Sequence, residues 1–75
     1  MKVMIYMVDG FIEKVYGGNE HDFKNILVDY VSSMQNCTTD FDLTEDTEEL
    51  VEQINWYNAE MSNCSYFTFH DVENT

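Results

Sequence analysis

The hydrophobic positions along the chain change period twice. Residues 2–8 and 11–16 are rich in β-formers and are separated by Asp9-Gly10, a pair that supplies the positive φ angles of a two-residue type I′ turn. The pattern predicts a hairpin of Lys2 to Val8 and Phe11 to Tyr16. Strand alternation places Met4, Tyr6, Val8, Phe11, Glu13 and Val15 on one face and Val3, Ile5, Met7, Ile12, Lys14 and Tyr16 on the other. Both faces are largely apolar, so alternation alone does not select the buried one. The second is the expected core face, with Lys14 and Tyr16 at its edge. The first would then need partial cover or a partner.

After Gly17-Gly18 the period becomes helical. Phe23, Ile26, Leu27, Tyr30, Val31 and Met34 recur at i, i+3, i+4 and i+7. Asn19 suits the N-cap, and Glu20 and Asp22 suit the positive end of the helix dipole. A first helix is expected from about Glu20 to Gln35, followed by a loop over Asn36 to Asp42. Leu43 and Thr44 open a second helix, with Thr44 as N-cap and Glu45, Asp46 and Glu48 in or near its first turn. At 100° per residue, Leu50, Val51, Ile54, Tyr57 and Met61 form its core face, while Glu45, Glu49, Glu52, Trp56 and Glu60 fall opposite.

Alternation returns from Cys64 to Val72. Phe67 and Phe69 point one way, and Tyr66, Thr68 and His70 the other. Residues 71–75 are expected to fray. The order is ββααβ: a single α+β domain over residues 1–75, with two helices packed on one face of a three-stranded sheet. The third strand is expected beside the first and parallel to it, or antiparallel beside the second.

Composition makes a fold necessary and its surface unusual. Hydrophobic residues are 44% and aromatics 15% of the chain, too apolar for a disordered acidic tail. Fifteen acids oppose three lysines (Lys2, Lys14, Lys24), with no arginine, giving a net charge of −12. That exceeds what solubility asks of a small domain, and its self-repulsion opposes compactness. Three lysines among fifteen acids also argue against direct nucleic-acid binding, which needs basic side chains on phosphates. The start of the chain is broken at Asp9-Gly10, too early for a signal peptide. No apolar run reaches membrane-spanning length. A cytoplasmic protein is expected, with Cys37 and Cys64 as free thiols.

Candidate reaction chemistry falls away on spacing. Asp40, Asp42, Thr44 and Asp46 imitate alternate calcium ligands, but Glu45 stands where the loop needs glycine and Val51 where it needs a bidentate glutamate. Cys37 and Cys64 form no Cys-x-x-Cys pair, and His21 and His70 do not share a helix face. A cysteine with a histidine could form a nucleophile, but no third, orienting group can be assigned. Gly17-Gly18 lacks the further glycine and lysine of a phosphate loop. The expectation is a protein without catalytic residues, metal or cofactor.

The acidic second helix supports a different function. Rows of carboxylates can occupy a basic groove in place of phosphates, and opposite fields speed encounter. Asp40, Asp42, Glu45, Asp46, Glu48, Glu49, Glu52 and Glu60 are the candidate partner-binding acids, with Trp56 among them as an aromatic anchor. In size, charge and α+β texture the chain resembles the small phage-encoded DNA-mimic inhibitors: anti-CRISPR proteins, uracil-DNA glycosylase inhibitors and anti-restriction proteins. The resemblance implies an inhibitor acting in a host cytoplasm. It would block nucleic-acid access to a DNA- or RNA-guided nuclease, with a CRISPR effector favoured. The alternative is a small homodimeric adaptor using the uncovered sheet face (Met4, Tyr6, Val8, Phe11, Val15).

Overall fold

A computed structural model of the chain describes residues 1–34, 41 and 46–73. Among these the elements run β1 (Lys2–Val8), β2 (Phe11–Gly17), α1 (Glu20–Ser33), α2 (Thr47–Glu60) and β3 (Ser65–Asp71). This is the ββααβ order and α+β class the pattern predicts. Asp9 at φ 54° and Gly10 at φ 83° make the tight turn between β1 and β2.

The sheet order is β2-β1-β3, so β1 is central. β3 lies beside β1 as expected, but antiparallel to it, with Lys2 opposite Asp71 and Val8 opposite Ser65. The cause lies in how the helices run. Lys2 Nζ reaches Glu48 at 2.7 Å and Glu20 at 4.0 Å, and the Thr47 hydroxyl donates to Glu20. Both helices therefore begin at the Lys2 end. Asn58 and Tyr30 meet near the other end, so α1 and α2 point the same way. Residues 34–46 could reach roughly 40 Å extended, whereas the rise of α2 is only ~21 Å. A connection of that length lets α2 restart where α1 started. The chain then leaves α2 beside the hairpin turn, where the Asp9 N–H donates to the Cys64 carbonyl at 3.2 Å. β3 can only run back.

A β-bulge decides which face is buried. Tyr6 pairs with Lys14 but Met7 with Ile12, leaving Glu13 as an extra residue in β2. Beyond it Lys14 and Tyr16 share a face with Met4 and Tyr6, while Val15 joins Val3 and Ile5. The helices cover the Met4 and Tyr6 side. That reverses the expected choice of β1 face, and it keeps Tyr16 against the core only because the bulge shifts the parity of β2. The face away from the helices carries Ile5, Met7, Ile12 and Val15 with Tyr66, and also Val3, which is itself buried. The residues Met4 and Tyr6, expected on an open face, pack in the core.

That core is Met4, Phe23, Leu27, Leu50, Val51, Ile54 and Phe67, all buried. Tyr6, Tyr30 and Phe67 interlock with ring centroids 4.8–5.8 Å apart. On α2 the buried positions are Thr47, Leu50, Val51, Ile54 and Asn58. Met61, expected in the core, is the exposed C-cap, and buried Asn58 lies one turn earlier on that side.

The helix ends follow local chemistry. Asn19 accepts from the Asp22 N–H and the Asp22 side chain accepts from the Asn19 N–H, a closed capping box. Gly18, at φ 142°, lies so close to it that a Cβ would meet Asp22 Oδ2 at 2.8 Å. α1 ends at Ser33, two residues short of the expected Gln35, because Met34 turns extended. α2 begins at Thr47 with Asp46 as its cap, accepting from Glu48 and Glu49 N–H. The expected cap, Thr44, lies outside the described residues. Asp71 closes β3, and Val72 exchanges hydrogen bonds with Met1 through both backbone groups. Pairing thus orders two positions expected to fray.

The first half of the free edge of β3 is capped by α2. Asn55 accepts from the Phe67 N–H at 2.9 Å and donates to the Phe67 carbonyl at 2.8 Å, imitating a neighbouring strand. Asn58 donates to the Ser65 carbonyl. Edge groups satisfied in this way cannot template another chain.

Lys2 ties the sheet to both helix starts and sits over the Phe69 ring. Its pKa is raised chiefly by the hydrogen bond to Glu48; desolvation opposes this, and the charges of Glu48, Glu20 and Asp71 each add a lesser rise. A cation whose pKa is higher folded than unfolded adds stability that is complete below the unfolded value. That stability is lost as pH rises through the folded one. Burial raises the Tyr30 pKa, and loss of its proton acts in the same direction. Stability should therefore fall above pH ~10. Lys2→Met should be less stable at pH 7 and lose less between pH 8 and 11. A denaturant midpoint for Lys2→Met that tracks wild type across that range would refute the assignment.

Candidate protein-interaction surface

The outward side of α2 is set by its inward side. Thr47, Leu50, Val51, Ile54 and Asn58 share about 100° of the helix and face the core, so Glu49, Glu52, Trp56 and Glu60 must face away. All four are exposed, and Trp56 keeps 67% of its surface open. The stripe from Glu49 to Glu60 rises ~16 Å, with carboxylates on both sides of the indole.

The other candidate acids have different surroundings. Asp46 is engaged as the N-cap. Glu48 is exposed but hydrogen-bonded to Lys2, so part of its charge is neutralised within the chain. Asp40, Asp42 and Glu45 lie outside the described residues. Glu49, Glu52, Trp56 and Glu60 are the candidate residues that the fold gathers on one open face.

Beside the stripe lies a groove of about 400 Å³ lined by Phe41, Glu52, Gln53, Trp56 and Tyr57. Phe41 and Tyr57 meet edge to face at 5.4 Å and form one wall. Glu52, Gln53, Trp56 and Tyr57 are i, i+1, i+4 and i+5 on α2, so two adjacent helical rows form the rest. Phe41 was part of the expected loop and Tyr57 of the expected core face, so neither was a candidate site residue. Tyr57 is only half-buried because it lies at the margin of the core arc.

Elsewhere little reactive chemistry assembles. Among the described residues, no group of three or more His, Cys, Asp or Glu could hold a metal ion. Cys64 is an exposed free thiol. Its pKa is pushed up, chiefly by a hydrogen bond to Asp9 and then by the Asp9 charge, which disfavours the nucleophilic thiolate. Among the described residues no helix is long and apolar enough to cross a membrane. No protein-family model matches the chain, no curated protein is detectably similar to it, and no solved structure matches its fold significantly.

Proposed function

We propose that the protein is a non-enzymatic inhibitor that places the outward face of α2 in the basic groove of a nucleic-acid-binding enzyme. Glu49, Glu52 and Glu60 surrounding an exposed Trp56 carry this reading: they join anionic charge to an aromatic anchor on one rigid element. The stripe is sparser than a DNA strand, which bears one phosphate per ~3.4 Å. The whole −12 field therefore steers the encounter, and α2 supplies its point of contact. The resemblance to phage inhibitors makes guided nucleases, CRISPR effectors first, the target class to test. Blocked access of DNA or guide RNA would be the outcome.

The test is binding to a panel of purified guided nucleases, with nucleic acid as competitor. A true target should release the protein when nucleic acid is added, and bind at least ~10-fold more weakly in high salt. Glu49→Gln, Glu52→Gln and Glu60→Gln together should weaken it comparably. Binding that withstands salt and all three changes would place the interface elsewhere.

A second reading rests on the open sheet face. Its register positions include Ile5, Met7, Ile12, Val15 and Tyr66, and none of them is acidic, although the chain carries −12. Ile12 and Val15 are more than half exposed. Two copies could stack sheet to sheet with their acids pointing away from each other. Each three-stranded face is only about 14 by 23 Å, so the dimer would be weak. Sedimentation should then show a dimer at high concentration that Val15→Asp returns to monomer. A wild-type chain that stays monomeric at millimolar concentration removes this reading.

A further inference from the structure

The groove beside α2 has the chemistry to select one kind of side chain. One wall is the edge-to-face pair Phe41 and Tyr57. Trp56 offers an open indole face, and Glu52 lies one helical turn before it, about 6 Å along the axis. Aromatic faces attract cations, and the planar, weakly hydrated guanidinium stacks on them better than an ammonium does. A carboxylate beside the ring adds a bidentate partner for the same group.

Among the described residues, no cationic side chain lines this groove. The chain's three lysines belong to β1, β2 and α1, and it contains no arginine. Lys2 is held by Glu48, and Lys14 sits over Tyr16. The N-terminal amino group is bound to the Val72 carbonyl. With no cation in its lining the groove can take one from another molecule, and the anionic stripe flanking it favours a basic one.

We propose that this groove is an arginine-binding site: an arginine of the partner protein inserts against Trp56 and pairs with Glu52. The proposal rests on the reading of α2 as the partner-facing side. It adds that the contact is a shaped pocket for a guanidinium and not only a diffuse negative field.

Trp56 is the sole tryptophan, so its emission reports directly on the groove. The probes are blocked Gly-Arg-Gly, Gly-Lys-Gly and Gly-citrulline-Gly peptides, titrated at constant ionic strength. The arginine peptide should shift the emission saturably, the lysine peptide should bind at least ~3-fold more weakly, and the citrulline peptide should have no effect. Glu52→Gln should weaken the arginine peptide at least ~5-fold, while Glu60→Gln, on the same face but outside the groove, should not. Trp56→Leu, followed by calorimetry, should abolish the selectivity; the residue is exposed, so folding should survive. Equal binding of the arginine and lysine peptides, or equal effects of Glu52→Gln and Glu60→Gln, would overturn the proposal. The two readings separate cleanly. Equivalent peptides with nuclease binding that still needs the α2 acids would discard the pocket and keep the face. Selective peptides with nuclease binding indifferent to α2 would keep the pocket and discard the mimic.

Discussion

Asn58→Asp should leave the chain largely unfolded at neutral pH and refold it on mild acidification. Asn58 is 1% exposed. Its Nδ2 donates to the Ser65 carbonyl at 3.0 Å and to the Tyr30 hydroxyl at 3.1 Å. Its Oδ1 has no hydrogen-bond partner. An aspartate would turn a carboxylate oxygen toward the Ser65 carbonyl, acceptor against acceptor, and bury a charge with no cation beside it. Breaking a buried charged contact costs ~3–5 kcal/mol, against a total stability of about 4–11 kcal/mol for a chain of this length. Protonation restores one donor and removes the charge, so the folded state of the variant holds its proton more tightly than the unfolded chain. Its stability must then fall as pH rises, the reverse of the usual carboxylate effect. Circular dichroism melts at pH 5 and pH 8 decide the matter. A variant as stable as wild type at pH 8, or less stable at pH 5, would show that Asn58 is not buried in this arrangement.

Phe67→Ala should be nearly as damaging, with no rescue by pH. The ring is 2% exposed between Tyr6 and Tyr30. Phe-to-Ala changes in cores cost ~3–5 kcal/mol, and each kcal/mol moves Tm by roughly 4–8 °C in a domain of this size. The backbone of the same residue is clasped by Asn55, so loosening β3 here would also expose its edge. Phe67→Leu keeps most of the volume and should lose less than half as much. Thermal melts of the pair would contradict this packing if alanine and leucine cost the same.

The features legible in the sequence were those set by short-range chemistry. Asp9-Gly10 announces its turn because few other pairs accept two positive φ angles. Asn19 announces its helix because its side chain reaches the Asp22 N–H. The arc of α2 that turns Trp56 outward follows from Leu50, Val51 and Ile54 alone. Three features were hidden, each for a physical reason. The bulge at Glu13 leaves no mark in an alternating pattern that is apolar on both faces, yet it determines which side of β2 is buried. Hydropathy excluded Thr47 and Asn58 from the core, although they stand near the middle of the α2 arc. They are buried because each has a hydrogen-bond partner, Glu20 for Thr47, Ser65 and Tyr30 for Asn58. The direction of β3 depended on two helices running the same way, which local periodicity does not encode.

Within the candidate surface, Trp56 and the acids at 49, 52 and 60 could be placed from helical phase. The groove could not, because one wall comes from Phe41, outside any periodic segment. Glu48 had the right phase to be exposed, but its ion pair with Lys2 joins residues 46 positions apart.

The central position of β1 also orders events during synthesis. The strand receives β2 at once, across a two-residue turn, but its other neighbour is made only after both helices. While the ribosome is still producing α1 and α2, one side of β1 stays bare, with its backbone groups free to pair with another nascent chain. The sheet closes when residues 65–71 emerge. Only then does Asn55 have a strand to clasp, so the device that protects the finished edge arrives with the last strand and gives no protection before it.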